Sequence, residues 1–154
     1  MANRVEVNFQ GTAARSWAKN AALFASRALK KYGRDNWELS ILFCTNGLIR
    51  ELNAKFRAVD EATDVLSFVS GAYNGPFYLA GDIVISLDAL AENASFFDVC
   101  AEDELRRLLI HGILHLDGMD HATNDAAEPM LKKQEALLAE LQKAPPIIQK
   151  KEKR

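Results

Sequence analysis

The sequence predicts an α/β (α+β) fold: a single compact domain in which a small mixed sheet of about four strands packs with about five helices. Three observations favour this fold. Segments with the periodicity of strands alternate with segments that have the periodicity of helices. Apolar residues form 49% of the chain and charged residues 26%, as in ordinary globular proteins. A length of 154 residues is typical of one domain with a substantial core.

The first half of the chain supplies two strands and two helices. Residues 3–9 alternate apolar and polar side chains, which predicts a strand. Residues 12–32 carry apolar side chains at helical spacing and are followed by a glycine, so they predict a helix. A second strand is predicted at 37–44, and a short helix that opens at Asn46 is predicted over 46–56.

The second half supplies two further strands and three helices. The strands are predicted at 65–69 and 79–86, with a loop rich in Gly, Asn and Pro at 71–76 between them. The helices are predicted at 87–97, 102–117 and 126–142.

Two adjacent prolines at 145–146 end the last helix, so the domain is expected to cover 1–143 and a mobile basic tail to cover 144–154. Only two cysteines occur, which favours a reducing compartment over a disulfide framework. The first residues lack the apolar core of a signal peptide, and no apolar run reaches the ~18 residues needed to cross a bilayer. The expectation is a cytoplasmic protein that is not bound to a membrane.

Charge is distributed unevenly, although the net charge is only −2. That total argues against binding to nucleic acid by bulk charge alone. Six basic residues and no acidic ones occur within 11–34, and the stretch 143–154 adds five basic residues against one glutamate. Both a solvated helix face and a binding surface for a polyanion are compatible with this pattern. The basic residues of the first segment are Arg15, Lys19, Arg27, Lys30, Lys31 and Arg34.

All three histidines fall within one short segment, at His111, His115 and His121. The first two are four residues apart, so on a helix they lie on one face, and the apolar residues around them predict that both are largely buried. Gly118 can adopt a left-handed conformation that ends the helix and returns the third histidine toward the others. Three imidazoles in this arrangement are typical of a tetrahedral metal site whose fourth position is open to water.

Zinc is the metal that this ligand set favours, with about one ion per chain. Neutral imidazole suits a borderline-soft cation without strong geometric demands, although nickel or cobalt could bind the same nitrogens. Cys44 and Cys100 are far from the histidines in sequence and are interpreted as small apolar residues.

The same histidine spacing occurs in the extended zinc-protease motif, His-Glu-x-x-His-x-x-Gly-x-x-His. Here Gly112 occupies the position of the glutamate that serves as general base. Without that carboxylate, ordinary proteolysis is disfavoured.

The segment 111–121 resembles the signature of the YbeY family of metal-dependent endoribonucleases, His-Gly-x-Leu-His-Leu-x-Gly-Tyr-Asp-His. A second match runs from Leu52-Asn53 through Phe56-Arg57 to Thr63-Asp64-Val65-Leu66-Ser67-Phe68, and a third is Gly81-Asp82-Ile83-Val84-Ile85-Ser86. A weaker match lies in the acidic, amphipathic stretch 102–109. Three positions depart from the family pattern: Met119 replaces a tyrosine, and Ala62 and Val69 replace prolines.

The resemblance implies a compact α/β fold, a zinc ion on His111, His115 and His121, and a single-strand-specific endoribonuclease. It further implies a role in small-subunit ribosomal RNA maturation and ribosome quality control, with ribosomal RNA, the small subunit and its assembly proteins as partners. Arg57 matches an arginine regarded as functional in the family, and its guanidinium can bind a phosphate through two hydrogen bonds. Asp120 and Asp117 are candidate proton acceptors or partners of the histidine N–H groups.

Two other functions fit part of the pattern. A zinc hydrolase of peptides or amides would need a carboxylate from elsewhere in the chain. A non-enzymatic, zinc-containing ribosome assembly factor would use the ion only to hold the helix and turn together. Structural zinc sites normally have four protein ligands, which weakens this last interpretation.

Overall fold

Four strands form one mixed sheet in the order β1-β2-β4-β3 in the computed structural model, which describes residues 2–148. The predicted α/β architecture with a small sheet is therefore confirmed. In chain order the elements are β1 (Arg4–Phe9), α1 (Ala18–Lys31), β2 (Trp37–Cys44), α2 (Asn46–Arg57), β3 (Val65–Asn74), β4 (Phe77–Ser86), α3 (Leu87–Phe96), α4 (Ala101–Leu116) and α5 (Pro129–Glu140).

The sheet combines three parallel strands with one antiparallel edge strand. Strands β1, β2 and β4 run parallel, and β3 pairs antiparallel with β4. Apolar side chains fill both faces of the central strands, as is usual for parallel strands covered by helices. The larger core lies between the sheet and helices α1, α4 and α5. A smaller cluster, which contains Ile49 of α2, lies beneath that helix.

Helix α4 lies at the centre of the larger core. Its apolar side chains include Leu105, Leu109 and Ile113, all of which are fully or almost fully buried. They pack with Ile83 of β4 and Phe24 of α1. Burial of one such side chain stabilises a protein by about 1.5–3 kcal/mol, so α4 is a fixed support for whatever its remaining face carries.

Helix α1 begins six residues later than predicted, at Ala18 rather than residue 12. Gly11 has a φ of +75°, so the chain turns there instead of entering a helix. Trp17 then packs edge-on against Phe43 and Phe9, with ring centroids 5.1 and 5.8 Å apart. The segment before α1 is therefore a loop anchored by an aromatic cluster.

Strand β3 extends through most of the predicted loop, to Asn74. The register with β4 shifts between Val69 and Ala72, which marks a β-bulge. Gly81 faces this bulge with a φ of +138°, and a Cβ at that position would lie 2.0 Å from the Phe68 carbonyl oxygen. Because of this bulge, β3 continues past Val69, where the alternation of apolar and polar residues in the sequence ends.

The chain beyond α5 packs against the first turns of α4. Arg106 donates hydrogen bonds to the carbonyls of Leu141 and Ala144, at 2.8 and 2.9 Å. Glu102 accepts from the backbone N–H groups of Ile147 and Ile148 at 2.9 and 2.8 Å, and Ile147 is fully buried. Residues 144–148, assigned by the sequence to a mobile tail, are thus part of the packed domain. The rest of that tail, 149–154, lies outside the described residues.

None of the helices within residues 2–148 has the length and hydropathy that crossing a bilayer requires.

We expect Glu102→Gln to lower the free energy of unfolding by about 1–3 kcal/mol at neutral pH, since charge-assisted hydrogen bonds become neutral ones. Burial alone would raise the pKa of Glu102, but the Ile147 and Ile148 N–H groups and Arg106 outweigh it and hold the pKa below its usual value. A carboxyl with a depressed pKa stabilises the folded state above its unfolded pKa and loses that contribution on acidification.

The difference between parent and variant should therefore shrink as the pH falls below about 4.5. Urea unfolding at about pH 7 and about pH 3.5 measures it. Glu6→Gln, at an exposed position of β1, is the control and should unfold like the parent at both values. An equal loss at both pH values would show that the charge of Glu102 is not responsible.

Candidate metal centre

Helix α4 and the turn that follows it bring the three histidines together. His111 and His115 lie one turn apart, with ring centroids separated by 4.7 Å. Gly118 adopts a φ of +90° just after the helix, and the chain returns His121 to 5.1 and 5.5 Å from the other two rings. One ring nitrogen of each histidine lies within 4.8 Å of the other two. The spacing predicted this convergence.

Each imidazole is oriented by an oxygen atom at Nδ1. His111 Nδ1 lies 2.7 Å from Gln134 Oε1. His115 Nδ1 lies 3.0 Å from the Met119 carbonyl, and His121 Nδ1 lies 2.9 Å from the Thr123 carbonyl. Because oxygen acceptors require a proton on the nitrogen that faces them, all three rings carry their proton on Nδ1 when neutral. Every Nε2 is then an unprotonated donor for a cation.

The short distance between two of the histidine nitrogens favours a cation between them. His111 Nε2 and His115 Nε2 lie 3.1 Å apart, so two lone pairs face one another. Two nitrogens bound to one tetrahedral zinc ion at 2.0–2.1 Å would lie about 3.3 Å apart, close to the observed separation. The donor set therefore fits a divalent transition metal, as the sequence predicts.

The surroundings of His111 and His115 favour the neutral form of both imidazoles. Burial lowers the pKa of His111 and of His115, and the positive charge of Arg57 acts in the same direction on His115. Both side chains are half-buried, whereas the apolar residues around them in the sequence predicted that they would be largely buried. His111 borders an open cleft on this side of α4.

The turn between His115 and His121 is fixed by Asp117, although not as a histidine partner. Arg34 donates two hydrogen bonds to the Asp117 carboxylate at 3.1 and 2.7 Å, and the Tyr32 hydroxyl donates a third. Burial opposes ionisation of Asp117, but these donors outweigh it and hold its pKa below the usual range. Burial and the Asp117 carboxylate raise the pKa of Tyr32 to about 12.

Asp117 therefore connects the end of α4 to the chain just after α1. Its ion pair is with Arg34, which belongs to the basic 11–34 segment.

Asp120 lies at the rim of the histidine cluster. Its Oδ1 accepts the backbone N–H of His121 at 2.8 Å and lies 4.0 Å from His115 Nδ1. The side chain is 87% exposed, so it reaches solvent beside the cluster.

Arg57 lies near the same cluster at the end of α2. Its guanidinium donates to the Ser67 carbonyl, and Ser67 Oγ donates to the Gly112 carbonyl at 3.3 Å. Gly112 is adjacent to His111, so two hydrogen bonds connect Arg57 to the helix that carries the histidines. Among residues 2–148 no carboxylate forms an ion pair with this guanidinium. An exposed cation without an acidic partner is available to an anion from solution.

Gly112 faces away from the cluster and into the core. A Cβ built there would lie 2.8 Å from Ile83 Cγ2. A glutamate at this position would clash with β4, so the general base of a zinc protease has no place here.

Sequence spacing gave no indication of Gln134 or Ser67. Gln134 lies on α5, is 3% exposed, and meets His111 only because α5 packs on α4. Ser67 lies within the second matching segment, but its contact depends on how β3 meets α4. Asp64 accepts a hydrogen bond from Asn93 Nδ2, which also donates to Glu104 Oε2, each at 3.0 Å.

The sequence profile described as Endoribonuclease YbeY matches residues 2–142. This chain belongs to the YbeY family. Among curated relatives, an Endoribonuclease YbeY of Treponema pallidum is 44% identical over 143 residues, covering 90% of this chain and 89% of the relative. One from Treponema denticola is 48% identical over 120 residues, 75% and 77% of the two chains.

A solution structure of a Thermotoga maritima protein is also similar, with a TM-score of 0.60 and 28% identity over 97% of this chain and 99% of that one. The YbeY family resemblance seen in the sequence is thereby confirmed.

We predict that His115→Ala abolishes stoichiometric zinc binding, since it removes one of three ligands. Gln134→Leu should instead weaken zinc affinity about 10- to 100-fold, because the partner that orients His111 is lost. Competition with a chromogenic chelator measures both affinities. Gln142→Leu, at an exposed position beyond α5, is the control and should bind zinc like the parent. Parental stoichiometry and affinity in His115→Ala would exclude this site.

Proposed function

We propose that this protein is a zinc-dependent endoribonuclease that cleaves single-stranded ribosomal RNA during small-subunit maturation and ribosome quality control. The observation that carries the proposal is the convergence of three histidine ring nitrogens near a guanidinium that forms no ion pair with a carboxylate of residues 2–148. The curated relatives named Endoribonuclease YbeY support the class of substrate. The expected partners are the small subunit and its assembly proteins, and the expected compartment is the cytoplasm.

The three histidines and Arg57 have different roles in the proposed cleavage of the phosphodiester bond. His111, His115 and His121 would hold the zinc ion, which when bound supplies Lewis acidity toward a phosphoryl oxygen and acidifies water. Arg57 binds the scissile phosphate through its planar guanidinium and stabilises the negative charge that develops during cleavage. The hydrogen bond to Ser67 restrains that guanidinium on the side of α4 where the histidines lie.

Asp120 is the proposed proton acceptor. Its Oδ1 is held by the His121 N–H, while no partner for Oδ2 lies among residues 2–148. A carboxylate oxygen at the mouth of the site can take a proton from the attacking group and release it to solvent.

The structure weakens the alternative of a peptide hydrolase. The helix position that bears the catalytic glutamate in zinc proteases is packed on Ile83 and cannot hold a side chain. The assembly-factor alternative is disfavoured by a site with three histidine ligands rather than four. It predicts that no variant of Arg57 changes RNA cleavage, because no cleavage by this protein would exist.

Arg57→Ala should retain fold and zinc but cleave single-stranded RNA on the order of a hundredfold more slowly. Arg57→Lys should recover only part of this loss, since an ammonium cannot form the paired hydrogen bonds of a guanidinium. Single-turnover cleavage of a labelled oligonucleotide measures both. The matched control is Arg50→Ala, on the same helix, whose side chain is exposed and already paired with Asp60. Parental rates in Arg57→Ala would remove Arg57 from the mechanism.

Asp120→Asn should lower the rate of RNA cleavage by about a hundredfold with zinc stoichiometry unchanged, because the amide cannot accept the proton. The rate constant at saturating RNA and the zinc content are measured on the same preparation. Asp35→Asn, another exposed aspartate, is the control. If Asp120→Asn loses zinc together with activity, the carboxylate acts on the metal site and not as a proton acceptor.

A further inference from the structure

An exposed phenylalanine lies directly beside Arg57. Phe56, in the last turn of α2, is 57% exposed and belongs to neither core cluster. Its ring meets Phe68 of β3 edge to face, with centroids 5.4 Å apart and an angle of 67° between the rings. We call Lys55, Phe56, Arg57 and Phe68 together the Phe56 patch. A large aromatic side chain that contributes little to the core is available for another contact.

The positive charges beside the two rings indicate which class of molecule the Phe56 patch can bind. Lys55 Nζ lies 5.3 Å from the Phe56 ring centroid, and the Arg57 guanidinium carbon lies 5.3 Å from that of Phe68. Aromatic rings flanked by cations form the typical surface for single-stranded nucleic acid, in which bases stack and phosphates meet positive charge.

A second exposed aromatic pair provides a contrast. Phe96 and Phe97, at the end of α3, are 82% and 59% exposed. Asp98 follows them directly, and among residues 2–148 no lysine or arginine side chain lies over either ring. This pair therefore lacks the flanking cations that attract a polyanion to the Phe56 patch.

The patch is continuous with the proposed catalytic site. Arg57 belongs to both, and its hydrogen bond to Ser67 leads through Gly112 to the helix of the histidines. The Phe68 ring lies between the two, since it contacts both the Arg57 guanidinium and the Phe56 ring, so a strand whose phosphate lies on Arg57 passes close to Phe56.

We infer that Phe56 is a substrate-binding residue whose ring stacks on an unpaired nucleobase next to the phosphate that Arg57 binds. This inference rests on the proposed function, because it takes single-stranded RNA as the ligand. A base within a duplex has both faces covered by its neighbours, so only an unpaired base can receive the ring. Phe56 thereby contributes to preference for single strands without reading sequence.

Binding is measured separately from cleavage. Zinc-loaded protein is titrated into a fluorescent, 2′-O-methylated single-stranded oligonucleotide, whose integrity is verified on a gel, and anisotropy gives the affinity. Phe56→Ala should weaken binding about 5- to 150-fold, the range for loss of one base–aromatic stack. Phe56→Trp should bind at least as tightly as the parent, while Phe56→Leu should bind like Phe56→Ala. Phe96→Ala, the control, should bind like the parent.

An abasic nucleotide, placed in turn at each position of the oligonucleotide, tests the stacking contact itself. When the abasic nucleotide occupies the position that stacks on Phe56, the parent protein should bind more weakly. This loss of affinity should be about as large as the loss that Phe56→Ala causes on the intact strand. Phe56→Ala should then show no further loss on that abasic strand, because both changes remove the same contact. Thermal unfolding of all variants should match the parent, since the ring lies outside the core.

The outcomes distinguish this inference from the proposed function. Parental binding in Phe56→Ala, or parental binding restored by Phe56→Leu, overturns the stacking contact. Cleavage of RNA by the parent protein would still support the proposed nuclease in either case. If the parent binds the oligonucleotide through Phe56 but cleaves no RNA, the stacking contact stands and the proposed catalysis fails. If the parent does not bind single strands, both fail.

Discussion

The close approach of helix α4 to strand β4 at Gly112 is the constraint on which the site depends. Only a residue without a side chain lets the helix backbone come within contact of Ile83. This contact places the Gly112 carbonyl where Ser67 Oγ reaches it, and Ser67 in turn holds Arg57. The backbone position that packs against the core therefore also helps to set where Arg57 lies relative to the histidine cluster.

Orientation of the imidazoles is distributed over elements that are far apart in sequence. Gln134 reaches His111 from α5, while carbonyls of the loop after α4 hold His115 and His121. That loop is anchored to α1 through the ion pair between Arg34 and Asp117. The orientation of the three imidazoles consequently requires the assembled tertiary structure, and a peptide containing only the histidine segment would lack these contacts.

The sequence predicted those features that depend on local spacing. Helical periodicity and the Gly118 turn were sufficient to bring the three histidines together, and strand β2 has the predicted bounds. Features that depend on packing between elements were not predictable. The bulge in β3 follows from the conformation of Gly81, the late start of α1 from the position of Trp17, and the true partners of Asp117 from the approach of two helices.

Because residues 144–148 pack on α4, the domain can complete its folding only late in translation. Arg106 remains without its backbone partners until Leu141 and Ala144 have left the ribosome, and Glu102 remains without its own until Ile147 and Ile148 have followed. Strands β1 to β4 and the histidine helix are all translated earlier, so they emerge before the segment that completes the core around Ile147. Domains fold as units once their residues are available, and the nascent chain here acquires full cooperativity only at this late stage. Until then the first turns of α4 lack the segment that covers them in the folded protein.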